Sequence, residues 1–137
     1  SAIIFREEGE FFMGYRSEVV FVVAKEVMPQ FLATLAKSPE ARALCFGETN
    51  MRVNDFCGTG NILFNWNGIK WREGYEEIDA IVDFMNWCDR ETVKTDDGDE
   101  WDGEEFYRFC RVGEDTDDNV IRGMAFDDVC IERRITF

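Results

Sequence analysis

Histidine is absent from this 137-residue chain. Its absence removes imidazole acid–base catalysis, Ser-His and Cys-His nucleophile pairs, and every metal site built on imidazole. Positive charge is also scarce: 15 Lys and Arg stand against 29 Asp and Glu, for a net charge of -14 and a pI near 4.3. That balance argues against holding nucleic acid or anionic lipid directly on a general basic surface. Long apolar runs are missing. The longest, 19–24, falls far short of the ~20 residues that cross a membrane. A secretory apolar core is missing as well, since acids follow Ile3-Ile4-Phe5 at once. The cysteines, at 45, 57, 88, 110 and 130, are odd in number and form neither a C-x-x-C nor a zinc-like spacing. They read as reduced, mostly buried thiols of a cytoplasmic protein, with Cys57, Cys88 and Cys110 in apolar surroundings. With no histidine to serve as base, none is expected to be a catalytic thiolate, and no cofactor or metal is expected.

What is present supports one folded domain. Hydrophobic residues make up 45% of the chain and aromatics 15%, enough for a substantial core at this length. The segment 7–13, E-E-G-E-F-F-M, is what a purine-rich ribosome-binding sequence and a start codon would encode if read through. We therefore expect Met13 to be the initiator, residues 1–12 to be a translated leader or cloning-derived segment, and 13–137 to be the domain. Removing 1–12 takes away one cation and three acids and leaves the net charge at -12, so the acidic character stays.

Hydrophobic periodicity gives the element order. Residues 18–24 are β-branched and apolar on both faces, as in a central strand. Met28, Phe31, Leu32 and Leu35 form a helical stripe with Pro29 in the first turn, and Ser38-Pro39 opens a short helical piece over 40–46 that ends at Gly47. Strands are expected over 51–57 and 61–66 around a Gly58-Thr59-Gly60 turn. Asn67-Gly68 reads either as a hairpin turn or as a bulge that lets the strand run on through Trp71, and the bulge is favoured. Residues 75–90 form the clearest amphipathic helix, with Ile78, Ile81, Val82, Met85 and Cys88 inward and acids in the first turn. Alternation returns over 106–112 and 129–137. The order predicts an α+β two-layer sandwich: a ferredoxin-like βαββαβ arrangement, mainly antiparallel, with two helices on one face and 129–137 as an extra strand.

The chemistry-bearing pattern is acid density. Asp96, Asp97, Asp99, Glu100, Asp102, Glu104 and Glu105 surround a lone Trp101, and Glu114, Asp115, Asp117 and Asp118 follow. Such runs are commonly just solvated loops. A calcium loop is a poor match: from Asp97, Trp101 takes the fifth position and Asp102 takes the sixth, where the EF-hand needs glycine. A third reading is a surface that competes with a phosphate backbone for a basic protein. Duplex DNA carries one charge per ~1.7 Å, so twelve to fourteen charges correspond to roughly 20–24 Å of duplex. Trp101 either anchors in a partner's groove or pins its own loop. No carboxylate pair is singled out for catalysis, and Gly58-Thr59-Gly60 opens no helix, so it is a turn rather than a phosphate loop.

Three short motifs, M-G-Y-R-S at 13–17, K-W-R-E-G-Y at 70–75 and F-C-R-V-G-E-D-T-D-D at 109–118, give the chain a likeness. It resembles small acidic proteins of unknown function from tailed bacteriophages and prophages. It departs from them in Arg72, where an aromatic is common, and in a longer acidic insert at 96–105. The resemblance implies a mobile-element origin and action in the cytoplasm of a bacterial host. It carries over no site residue. The expected function is that of a non-enzymatic accessory protein, binding a basic nucleic-acid-binding host or phage protein through the two acidic clusters as a DNA mimic or anti-defence inhibitor. The alternative is a structural or assembly protein that self-associates as a homodimer through 129–137. An enzyme using carboxylates and a divalent cation ranks third.

Overall fold

The computed structural model describes residues 15–47, 51–132 and 135–137, so the expected start at Met13 and the leader 1–12 lie outside the described residues. The chain opens with β1 (Ser17–Val23), followed by a 3-10 turn (Lys25–Val27), α1 (Met28–Ala36) and α2 (Pro39–Phe46). Next come β2 (Met51–Asn54), β3 (Ile62–Ile69) and α3 (Glu76–Arg90). The remainder is β4 (Thr92–Lys94), β5 (Glu100–Asp102), a 3-10 turn (Gly103–Phe106), β6 (Tyr107–Val112), β7 (Asn119–Arg122), β8 (Cys130–Ile131) and β9 (Ile135–Thr136). The class is α+β. A five-stranded sheet, ordered β2-β3-β1-β6-β7 with every pair antiparallel, carries three helices on one face.

β1 occupies the centre because nothing in it asks for water: Val19 through Val23 are fully buried. Its odd-numbered side chains point toward the helices and its even-numbered ones toward the opposite face. On the helical face Phe21 sits among Phe31, Phe64, Phe84, Tyr107 and Phe109, with ring centroids 5.9–6.4 Å away. Such aromatic pairs contribute about 0.5–1.5 kcal/mol each beyond area burial. Leu35 from α1, Leu44 from α2, and Ile78, Ile81 and Met85 from α3 close that layer. Trp66 is buried there with its indole N–H donated to the Leu44 carbonyl at 3.0 Å. On the opposite face Val20, Val22, Leu63 and Cys110 pack against Val129 and Ile135.

Several expectations are corrected. Among the described residues the helices number three, not two: Ser38 accepts from the Ala41 N–H at 3.2 Å and Pro39 follows, which starts α2 afresh after α1. The described residues of 129–137 do not extend the main sheet. β8 and β9 pair with each other and lie over the second face, where Val129 and Ile135 complete the core. The fifth strand is β7, a four-residue piece just after the second acidic cluster, where the periodicity gives no element. Leu32, assigned to the core stripe of α1, is 47% exposed, because Phe31 and Leu35 already fill the contact with the sheet. β2 stops at Asn54. Asp55 and Cys57 take left-handed backbone conformations, φ 57 and 54, and Cys57 is exposed rather than buried.

The bulge at Gly68 is present. Ser17 pairs with Ile69 and Glu18 with Asn67, so Gly68 is skipped with φ +84, a conformation that favours glycine. The strand ends at Ile69, short of Trp71. Burial pushes the thiols of Cys45 and Cys88 up to about 12 and that of Cys110 up to about 11, which keeps them protonated and unreactive near neutrality. Among the described residues no helix is long and apolar enough to cross a membrane.

Candidate partner-binding surfaces

The first acidic cluster stands on a hairpin outside the main sheet. β4 leaves the end of α3 and returns as β5, with Val93 opposite Trp101 and Lys94 opposite Glu100. The turn between them is closed by Thr95 N–H to the Asp99 carbonyl at 2.9 Å and by Gly98 N–H to the Thr95 carbonyl at 3.0 Å. Asp97 organises this turn: its carboxylate accepts from the Thr95 hydroxyl and from the Asp99 N–H. Those donors hold its carboxyl below the usual carboxylate range, the Thr95 hydroxyl contributing most.

The hairpin is fastened at its base. Val93 is buried, and Gly103 donates its N–H to the Glu91 carbonyl at 2.8 Å. Gly103 lies so close to α3 that a Cβ there would run into the Cys88 carbonyl oxygen. Above this base Asp96, Asp97, Asp99, Glu100, Asp102 and Glu105 are exposed, Glu104 is half-buried, and Trp101 is 52% exposed. Among the described residues none of these acids is in an ion pair. Val93 and Gly103 fasten the loop, and Trp101, opposite Val93, stands half exposed.

The second cluster, in the β6–β7 connection, is organised differently. Asp118 receives two N–H groups from Arg111, at 2.8 and 3.1 Å, and the Tyr15 hydroxyl at 2.8 Å. Arg111 and Tyr15, in that order, hold the Asp118 carboxyl below the usual range. Glu114 accepts the Arg16 backbone N–H at 2.6 Å, and the Asp115 N–H is donated to the Tyr15 oxygen at 2.9 Å. Of this cluster, Glu114 and Asp118 tie the hairpin loop to the chain entering β1, while the side chains of Asp115 and Asp117 are exposed. The fold does bring the motif residues 15–17 and 109–118 together at one end of the sheet.

The third motif meets them there. Trp71 packs on Phe109 with centroids 5.1 Å apart, and both border a cleft of about 410 Å³ beside Tyr15, Arg111 and Asp118. Val82 and Met85 of α3 with Val120 of β7 line its apolar wall; Glu73 and Arg122 stand at its edge. Arg122 is held by Asp89 at 2.7 Å and Asn86 at 3.0 Å. The Tyr107 hydroxyl donates to the same Asp89 at 2.7 Å. Sequence reasoning missed this cleft. Its only signal was that Tyr15, Trp71, Glu73, Phe109, Arg111 and Asp118 fall in the three short motifs.

Among the described residues no group of three or more Cys, Asp or Glu side chains is placed to hold a metal ion. No protein-family model, curated protein or solved structure matches the chain.

Proposed function

We propose that this is a non-enzymatic accessory protein of a bacteriophage or prophage, acting in the cytoplasm of a bacterial host. It occupies the basic, nucleic-acid-binding surface of a partner protein through the β4–β5 hairpin, as a DNA mimic or anti-defence inhibitor. The observation that carries this reading is Trp101: a large aromatic, half exposed, amid acids that form no ion pair among the described residues, on a hairpin held at its base. Aromatic anchors ringed by complementary charge are the usual centre of tight interfaces. The main site is thus Asp96, Asp97, Asp99, Glu100, Trp101 and Asp102, with the second cluster reduced to Asp115 and Asp117. The strand order β2-β3-β1-β6 supports reading the core as a ferredoxin-like βαββαβ unit, with β7 as the added strand.

The test is capture of partners from a bacterial host by the tagged chain and by a variant with the four hairpin acids outside the turn contacts, 96, 99, 100 and 102, changed to Asn or Gln. A basic protein retained by the wild type, released by added duplex DNA and lost in the variant supports the reading. Equal capture by both chains overturns it.

Self-association is the second reading, and the specific observation for it has moved. Val129 and Ile135 are used internally, while among the described residues β7 is an open edge of the main sheet with Ile121 and Met124 about half exposed beside it. A salt-insensitive dimer mass in solution would favour this reading.

A further inference from the structure

The cleft at the end of the sheet has a charge balance that selects its occupant. Its two cations are already used: Arg111 is paired with Asp118, and Arg122 with Asp89. The Tyr15 hydroxyl is used too, donating to Asp118 and accepting from the Asp115 N–H. Glu73 is exposed at the same edge and, among the described residues, has no hydrogen-bond or ion-pair partner. Among the side chains that line the cleft, the charge left without a partner is therefore negative, and the lining also includes the half-buried Trp71, packed on the buried Phe109 with planes inclined at 44°.

A carboxylate lining the same cleft as a half-buried indole suits a planar cation. Guanidinium stacks on an indole and forks onto a carboxylate, and the methylenes behind it cover apolar surface. We propose that this cleft receives an arginine side chain of the basic partner, stacked on Trp71 and paired with Glu73. It is a second contact separate from the hairpin. The inference rests on the partner being basic, and it adds which residue of that partner is read and where.

Titration of the ¹⁵N-labelled full chain with acetyl-arginine amide, followed by amide and indole N–H shifts, tests it, with acetyl-citrulline amide as the uncharged isostere. The expected result is a saturable shift of the Trp71 indole N–H and of the Val120 and Arg122 amides, absent with citrulline. Glu73→Gln, an exposed substitution that leaves the fold intact, should weaken it at least about threefold, the loss of one charge-assisted contact at a wet site. The variant with the hairpin acids neutralised should bind the arginine amide as the wild type does. Equal shifts with citrulline, no shift at Trp71, or no effect of Glu73→Gln each overturn the proposal. The two readings fail separately: loss of partner capture in the hairpin variant with no arginine response at the cleft leaves the hairpin reading standing and removes this one.

Discussion

The β4–β5 hairpin and the β6–β7 loop carry runs of carboxylates of similar density, yet the fold treats them differently. In the loop, Glu114 and Asp118 are met by Arg16, Arg111 and Tyr15 and hold the entry of β1 against the end of β6. In the hairpin the acids face water, and only Asp97 is drawn into the turn. What separates the two is the supply of donors nearby. β6 brings Arg111 alongside the loop and β1 brings Tyr15 and Arg16 to it, whereas the hairpin stands clear of the sheet. Acid density alone therefore does not mark a binding surface. Acids left without partners on an anchored, Trp-bearing hairpin are the better mark.

The comparison breaks most severely at the hairpin's base. Gly103→Ala places a methyl against the Cys88 carbonyl at the end of α3. It should cost about 1–3 kcal/mol by overpacking, read as a lower urea midpoint, and should weaken partner capture as well. A smaller effect is expected at Asp118. Its carboxyl is held below the usual range in the folded chain, so its stabilisation is present above the unfolded value of about 4 and is lost as pH falls through the lower folded value. Asp118→Asn should melt below the wild type at pH 7, and the two melting temperatures should converge on acidification. A constant gap across that range would contradict the ion pair with Arg111. The smallest effect is optical. Trp66 is buried while Trp101 is half exposed, so Trp101→Phe should remove the component of tryptophan fluorescence most accessible to acrylamide, with no change in melting temperature.

What was legible in the chain follows from how local each signal is. The all-apolar stretch of β1, the stripe of α3 and the bulge at Gly68 are written in consecutive residues, and each lies where its pattern places it. β7 was not legible, because four residues framed by acids carry too short an alternation and its strand character comes from pairing with β6. The role of 129–137 was misjudged for a related reason. Its alternation shows that one side is buried, but not whether it is buried within the sheet or on top of it. The acids of the hairpin were readable as exposed, whereas how far the lone Trp101 would be covered was not. The tie between Asp118 and Tyr15 was hidden by the 103 residues between them. Arg111, a lone cation just ahead of the acid run, was the available hint that this run is used internally.

The central claim is that the two acidic clusters divide between holding the fold and holding a partner. The most direct measurement compares two neutralised variants side by side, one changed at 96, 99, 100 and 102 and the other at 114 and 118, each assayed for urea midpoint and for capture of a basic protein from the host. The account predicts that the hairpin variant keeps its midpoint and loses the partner, while the loop variant loses stability and, where still folded, keeps the partner. The reverse pattern, or equal loss of capture in both, would contradict it.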